Sequence, residues 1–588
     1  MQPTPSSIVT PRDPTLSAAL RLALAFAAFK LALHIVATLY AQHLGYSYFR
    51  DEFYYLVCGR RLAWGYVDHG PLVALQARLS TTLFGASVLG IRLLSHLAGA
   101  AAVFLTGLLA WALGGRRSAQ SLAMLALLCA PEYLALDSFL SMNSVEPVLW
   151  MLCTLALILI TRVPHARTLE HGSQLQSHGS SQNPPHGSSQ IPRLWILFGI
   201  SAGLGLLNKP SMTFFLIALG IGLLLTPQRR ILFTRWTAVA IALLTLIALP
   251  KLLWQIHHGW PALEFLRNGK AQHKNIDLPL LPFLNAQVLM MHPLNALLWI
   301  TGLVALLRAR SIPHSRWIAY TYLIFFALMF KLHAKDYYLA PIYPVLFAAG
   351  AITWQHRFAR PSPLSARQDP RQGDRQDTWQ NARPRALPDA RPHPQQDRIF
   401  AFPIYGTTLI LSTLVILPMA LPILSPPTWI RYTAALHLHS PATEHHQTSA
   451  LPQFYADRFG WQQEVDLVNR AYISLSPEDR ARVTIFASNY GEAGAIDILG
   501  ARQHLGLPPA ISGHNTYWLW GPGIRGVDLV IAVVHDTPER LHQKYASVTV
   551  IGHMDNPLAM PFEHKTVYLL RNRLPSAPFN WSDEKDYI

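Results

Sequence analysis

Long apolar runs separated by short polar connections set the pattern of this chain. Positions 16–40, 88–113, 122–136, 145–161, 194–207 and 214–226 approach or exceed the ~20 apolar residues that cross a ~30 Å hydrocarbon core. Positions 236–250, 288–307, 317–330, 337–354 and 400–424 continue the series. The pattern predicts about eleven membrane-spanning helices, several short enough to need irregular ends. Beyond about Pro426 the pattern changes to that of a soluble unit. Short apolar runs at 483–488, 527–534 and 547–554 read as buried strands, and 462–475 and 492–499 as amphipathic helices. The expected fold class is a polytopic α-helical membrane protein with a C-terminal soluble α/β domain, long enough to bury its own core.

The division that follows is a leader at 1–15, a membrane core at 16–359, a last span at 399–425 and the α/β domain at 426–588. Two connections, 163–192 and 360–398, are rich in polar residues, lack apolar periodicity and read as disordered. The histidines of the first (His165, His171, His178, His186) carry no site geometry and read as linker.

Composition agrees: of 588 residues, 51% are hydrophobic and 14% charged, with mean hydropathy +0.22. A net charge of +16 would suit nucleic acid, but the cations sit in alternate connections. Arg12 and Arg21, Arg116 and Arg117, Arg162 and Arg167, Arg229, Arg230 and Arg235, Arg308, Arg310 and Arg316, then Arg357 and Arg360 mark the cytoplasmic side by the positive-inside rule. With a cytoplasmic amino terminus, eleven spans place every cluster inside and the α/β domain outside. No nucleic-acid partner is expected; membrane lipids are. The first span reads as an uncleaved signal anchor. Cys58, Cys129 and Cys153 have no zinc or disulfide spacing.

The same walk puts Asp51, Glu52, Asp68, His69, Glu132, Asp137, Asn143, Glu146, Asn208, Lys209 and 333–338 on the outer face. Adjacent acids among Tyr, Phe and Trp, where the chain leaves the bilayer, suggest a reaction centre at the membrane surface. A transporter would place such groups near the midplane, on discontinuous helices. Simpler readings stand beside this one. Asp51 or Glu52 caps a helix at 53–63; Lys209 snorkels to the interface; Lys335 pairs with Asp336; Asn143 caps a helix start; the aromatic residues form an interfacial belt. Lys30 and His34 share one helical face, expected toward the bundle interior. The small residues of SNYGEAGAIDILG from Ser488 read as a packing or capping turn, with a ligand loop as the alternative.

A first span followed by RDEFYY at Arg50, WGYVDHGPL at Trp64, SMNSVEP at Ser141, LNKPS at Leu207 and KDYYLAPIYP at Lys335 resembles bacterial members of glycosyltransferase family 39. These are GT-C-fold membrane enzymes similar to protein O-mannosyltransferases and the lipid A aminoarabinose transferase. The resemblance covers roughly 16–354. It implies inverting transfer of a sugar from a polyprenyl-phosphate donor to a hydroxyl on a lipid, glycan or protein acceptor, at the periplasmic face of a bacterial inner membrane. Asp51 matches the family's catalytic acid and is expected as the base, with Glu52 orienting it, the acceptor or a nearby helix. Lys209 and Lys335, then Arg92, are candidates to meet the leaving phosphate. Tyr337, Tyr338, Asp68, His69, Asn143 and Glu146 are the remaining substrate-site candidates. No motif demands a metal, and no cofactor is assigned; the related lipid A enzymes leave a divalent cation open. The alternatives are a carrier or flippase for lipid-linked sugars, and an anchored binding protein whose tail is the working part.

Overall fold

The computed structural model describes residues 16–174, 190–272, 277–309, 312–358, 401–438 and 447–588. The expected leader, the 360–398 linker and the His178 and His186 part of the first polar loop lie outside the described residues. The helix Met142–Gln174 runs further into that loop than its polar composition suggested.

Each of the eleven apolar runs is helical, so the membrane reading holds, while helix length and composition alone fall short of eleven spans. Among the described residues seven helices are long and apolar enough to cross a membrane, and nine if each of two bent pairs is one span. The shortfall lies in two places. One run breaks into Arg117–Cys129 and Pro131–Leu136, since proline at a first turn starts a new helix. Another is only the 16-residue helix Arg316–Lys331, about 24 Å long and shorter than the hydrocarbon core.

Small residues let the bundle close. A Cβ on Gly302 would lie 2.2 Å from the Leu346 carbonyl oxygen, and one on Gly350 would lie 2.0 Å from that of Leu298. The helices Asn295–Arg308 and Tyr343–Phe358 therefore meet backbone to backbone. Deeper in, Trp150 stacks on Phe215 at 4.0 Å. Lys30 and His34 are wholly buried, as expected of polar groups facing the bundle interior. The Lys30 ammonium lies 3.0 Å from Asp137.

The tail carries a five-stranded sheet: β1 (Thr484–Ala487), β2 (Ala510–Ile511), β3 (Leu529–Val534), β4 (Tyr545–His553) and β5 (Thr566–Arg573), in the order β2-β1-β3-β5-β4. β1 pairs in parallel with β2 and β3, whereas β5 is antiparallel to both β3 and β4. Three strands match the apolar runs. β2 is only two residues long, and β5 ends in the charged Arg571 and Arg573, so neither announces itself by composition.

The tail does not bury its core alone. Phe53, Tyr54 and Val57, on the helix Arg50–Arg60, belong to one apolar cluster with Val465, Ile496 and Ile531 of the tail. The small residues after Ser488 make this possible. A Cβ on Gly491 would meet Arg50 Cγ at 2.4 Å, and one on Gly494 would meet Phe53 Cβ at 2.9 Å. That stretch is a packing helix, Tyr490–Arg502, capped by Asn489, whose side chain accepts from Gly491 and Glu492 N–H.

Candidate active site

The first turn of the Arg50–Arg60 helix presents its two acids differently. The helix begins three residues earlier than the 53–63 expected from sequence. Glu52, at its third position, accepts from the Phe49 N–H at 2.8 Å, the reverse half of a capping box. Its carboxylate also accepts from Arg92 Nε (2.8 Å) and Nη2 (2.7 Å) and from the Leu140 N–H (2.8 Å). Both residues are buried. Burial alone would raise the Glu52 pKa, but the Arg92 charge and its hydrogen bonds outweigh it and hold the carboxyl below its ordinary value. Arg92, the lower-ranked candidate for the leaving phosphate, here pairs with Glu52 and donates to the Ser47 carbonyl (3.1 Å).

Asp51 remains 28% exposed. Its Oδ1 accepts from the Tyr490 hydroxyl at 2.9 Å and lies 3.5 Å from Arg50 Nε. The Arg50 guanidinium also approaches Asp457 and Glu563 at 3.8 Å each and lies over the rings of Tyr490 and Phe562. Tail and juxtamembrane helix thus hold Asp51 together.

The Trp64–Gly70 loop is fastened to the same tail. The Tyr54 hydroxyl bridges Asp68 Oδ1 (2.8 Å) and Thr516 (2.6 Å), and Asn515 donates to Asp68 Oδ2 at 3.4 Å. Tyr54, Tyr490 and His514 form a ring stack with successive centroids 4.5 and 4.6 Å apart. His69 is buried, packs on Tyr66 at 4.5 Å and reaches the Gly70 carbonyl at 2.8 Å; burial lowers its pKa. Gly70 touches the end of the helix Gln190–Asn208 so closely that a Cβ would lie 1.9 Å from the Leu207 carbonyl oxygen.

Five residues singled out from sequence converge at that contact. The buried Lys209 ammonium donates to Asn143 Oδ1 at 2.9 Å and Glu146 Oε2 at 3.1 Å, and it lies 3.9 and 5.0 Å from the ring centres of Tyr338 and Tyr337. Ser211 donates to the other Glu146 oxygen. Lys209 is therefore enclosed by partners, which snorkelling to the interface would not produce. Lys335 is half-buried at the start of the turn Asp336–Ile342.

Tyr55 packs edge-on against His69 with ring centres 5.2 Å apart, and burial, followed by the charges of Asp51 and Asp68, pushes its phenol well above its ordinary value. Tyr55, Arg50, Tyr490 and Asn515 escaped the sequence reading. Tyr55 hides in an aromatic run with an interfacial explanation. Asn515 stands in the left-handed region (φ 49°), visible only in three dimensions. Among the described residues no group of three or more His, Cys, Asp or Glu side chains could hold a metal ion.

No protein-family profile and no curated protein sequence matches the chain. Solved structures do. The crystal structure of ArnT from Cupriavidus metallidurans in the apo state superposes with TM-score 0.54 at 14% identity, over 94% of this chain and 98% of that one. ArnT from the same organism bound to undecaprenyl phosphate gives TM-score 0.54 at 13% identity, over 95% and 99%. Identity this low carries the fold and not the activity. The helical bundle, the juxtamembrane helices and the sheet-bearing tail are thus one architecture, and the chain has the GT-C fold of ArnT.

Proposed function

We propose that this protein is an integral-membrane inverting glycosyltransferase that moves a sugar from a polyprenyl-phosphate donor to a hydroxyl acceptor. The observation that carries the proposal is Asp51: a partly exposed carboxylate held by Tyr490 and Arg50, next to a wholly enclosed Glu52. Asp51 takes the acceptor's hydroxyl proton as the oxygen attacks the anomeric carbon. The bond from that carbon to the phosphate oxygen breaks, and its electron pair leaves with the phosphate. A positioned base of this kind contributes roughly 10²–10⁴-fold.

The departing phosphate gathers negative charge where water is scarce, so fixed cations beside it lower the barrier. An ammonium carries three donors, and Asn143 and Glu146 occupy two of those on Lys209. The third serves the phosphate, with Lys335 as the second cation. Glu52 and Arg92 position the helix that bears Asp51 and take no part in the chemistry. Asp68 and His69 set the loop that borders the acceptor. The alternating cations support an inner-membrane protein with the site and tail on the periplasmic side. The solved relative bound to undecaprenyl phosphate supports a polyprenyl-phosphate donor.

The test is transfer from radiolabelled polyprenyl-phosphate sugars into envelope extract by purified wild type and Asp51→Asn. Loss of transfer with donor binding retained supports the reading. Equal transfer by both removes Asp51 from the mechanism, and binding without transfer by wild type turns the reading toward a carrier.

A further inference from the structure

The helix Tyr490–Arg502 touches Asp51 at one end and a different cavity at the other. Its 13 residues span about 18 Å, so the Arg502 end of the cavity lies away from Asp51, while the opposite wall, at Tyr48, is three residues from it. Its volume is about 570 Å³. One wall comes from the chain leaving the first span, with Gln42, Tyr46 and Tyr48; the other comes from the tail, with Arg458, Trp461 and Arg502.

The lining is chemically one-sided. It holds two arginines (Arg458, Arg502) and five side-chain amides (Gln42, Gln462, Gln463, Gln503, Asn556), of which Gln503 donates to Gln462 and Gln463 to Asp555 Oδ1 at 2.8 Å each, and no carboxylate is among the described lining residues. Arg458 is 1% exposed; its Nε donates to the Phe454 carbonyl at 3.1 Å, while its Nη1 meets no acceptor among the described residues. Arg502 is exposed and lies 5.7 Å from the ring centre of Tyr48. Side-chain amides offer a donor and an acceptor on one planar group, which suits neighbouring hydroxyls that also do both. Guanidinium groups pair with carboxylate or phosphate oxygens. The rings of Tyr46, Tyr48 and Trp461 supply apolar faces.

We propose that this cavity is a binding site for an acidic saccharide, with Arg502 and Arg458 meeting its anionic group and the amides its hydroxyls. The site goes beyond the catalytic reading and does not need it.

The experiment is calorimetric titration of the full chain in nanodiscs with three probes: a glucuronate-containing tetrasaccharide, neutral maltotetraose and inorganic phosphate. Saturable binding of the acidic tetrasaccharide, at least tenfold tighter than maltotetraose and weakened about tenfold by Arg502→Gln and by Gln463→Ala, is the expected result. Both substitutions are at solvent-reachable positions, and an unchanged melting midpoint certifies their folding. Phosphate binding as tightly as the tetrasaccharide would reduce the cavity to an anion site and overturn the proposal. Absence of saturable binding, or binding indifferent to both variants, would overturn it too. Asp51→Asn retains the binding, so a failure of the catalytic reading leaves this result untouched.

Discussion

The Tyr490 hydroxyl donates to Asp51 Oδ1 at 2.9 Å, although 439 positions separate the two in sequence. The tail is thereby a part of the site rather than an appendage. Tyr490→Phe removes that one hydrogen bond and leaves the ring stack with Tyr54 and His514. Transfer should fall about tenfold, against roughly 10²–10⁴-fold for Asp51→Asn. Wild-type kcat in Tyr490→Phe would mean that Arg50 alone orients the carboxylate.

Lys209 and Glu146 neutralise each other in a buried pair, so their effects separate only in combination. Lys209→Gln leaves Glu146 without its counter-charge and should lower the melting midpoint as well as affinity for undecaprenyl phosphate. Adding Glu146→Gln should restore the midpoint and not the affinity. Recovery of both in the double variant would remove Lys209 from the phosphate site.

Glu52 is enclosed by Arg92 and the Phe49 and Leu140 N–H groups. Glu52→Ala strands the Arg92 guanidinium in the interior, which costs on the order of 3–5 kcal/mol. Equilibrium denaturation in detergent measures it. A well-folded Glu52→Ala that has lost transfer outright would instead place Glu52 in the chemistry.

Gly494 is where the tail meets Phe53. Gly494→Leu drives a side chain into space already filled, and overpacking of this kind costs about 1–3 kcal/mol or parts the two surfaces. Faster proteolysis of the tail, with transfer lost while the membrane bundle stays intact, is the expected outcome. Unchanged cleavage and activity would show that the interface tolerates separation.

Glu464, Glu492, Glu563 and Lys565 cluster inside the tail, near Asn489 and the Arg50 contact with Glu563. Burial is the main cause raising the Glu492 carboxyl to about 7, against the pull of Lys565 at 3.4 Å. Burial, then the charges of Glu492 and Glu563, push Glu464 further up. With an unfolded value of 4.5, the folded tail holds more protons between about pH 4.5 and 7, so its stability falls as pH rises through that window. Glu464→Gln should raise the melting midpoint at pH 7.5 by a few degrees and change little at pH 5. An identical pH profile in the variant would contradict this assignment.

Much of the membrane core was legible, because crossing a bilayer imposes a length and an apolar composition that each segment must satisfy by itself. All eleven runs are helical for that reason. The Lys209 cluster was partly legible too: Lys209, Asn143, Glu146, Tyr337 and Tyr338 each stood out as polar or aromatic groups at the ends of apolar runs. Their meeting was not. The sequence treated Asp51 and Glu52 as a pair, yet one helical turn points Glu52 into a closed ion pair with Arg92 and leaves Asp51 partly exposed.

What the sequence by itself determined is what acts locally: the apolar lengths, the adjacency of two acids to the first span, and the switch to an α/β tail. Tertiary structure alone decided that Arg92 belongs to Glu52 and that the tail reaches Asp51 through Tyr490. Those outcomes depend on which faces pack together. Gly491 and Gly494 allow the Tyr490–Arg502 helix to lie against Arg50 and Phe53, and no periodicity along either segment encodes that partner.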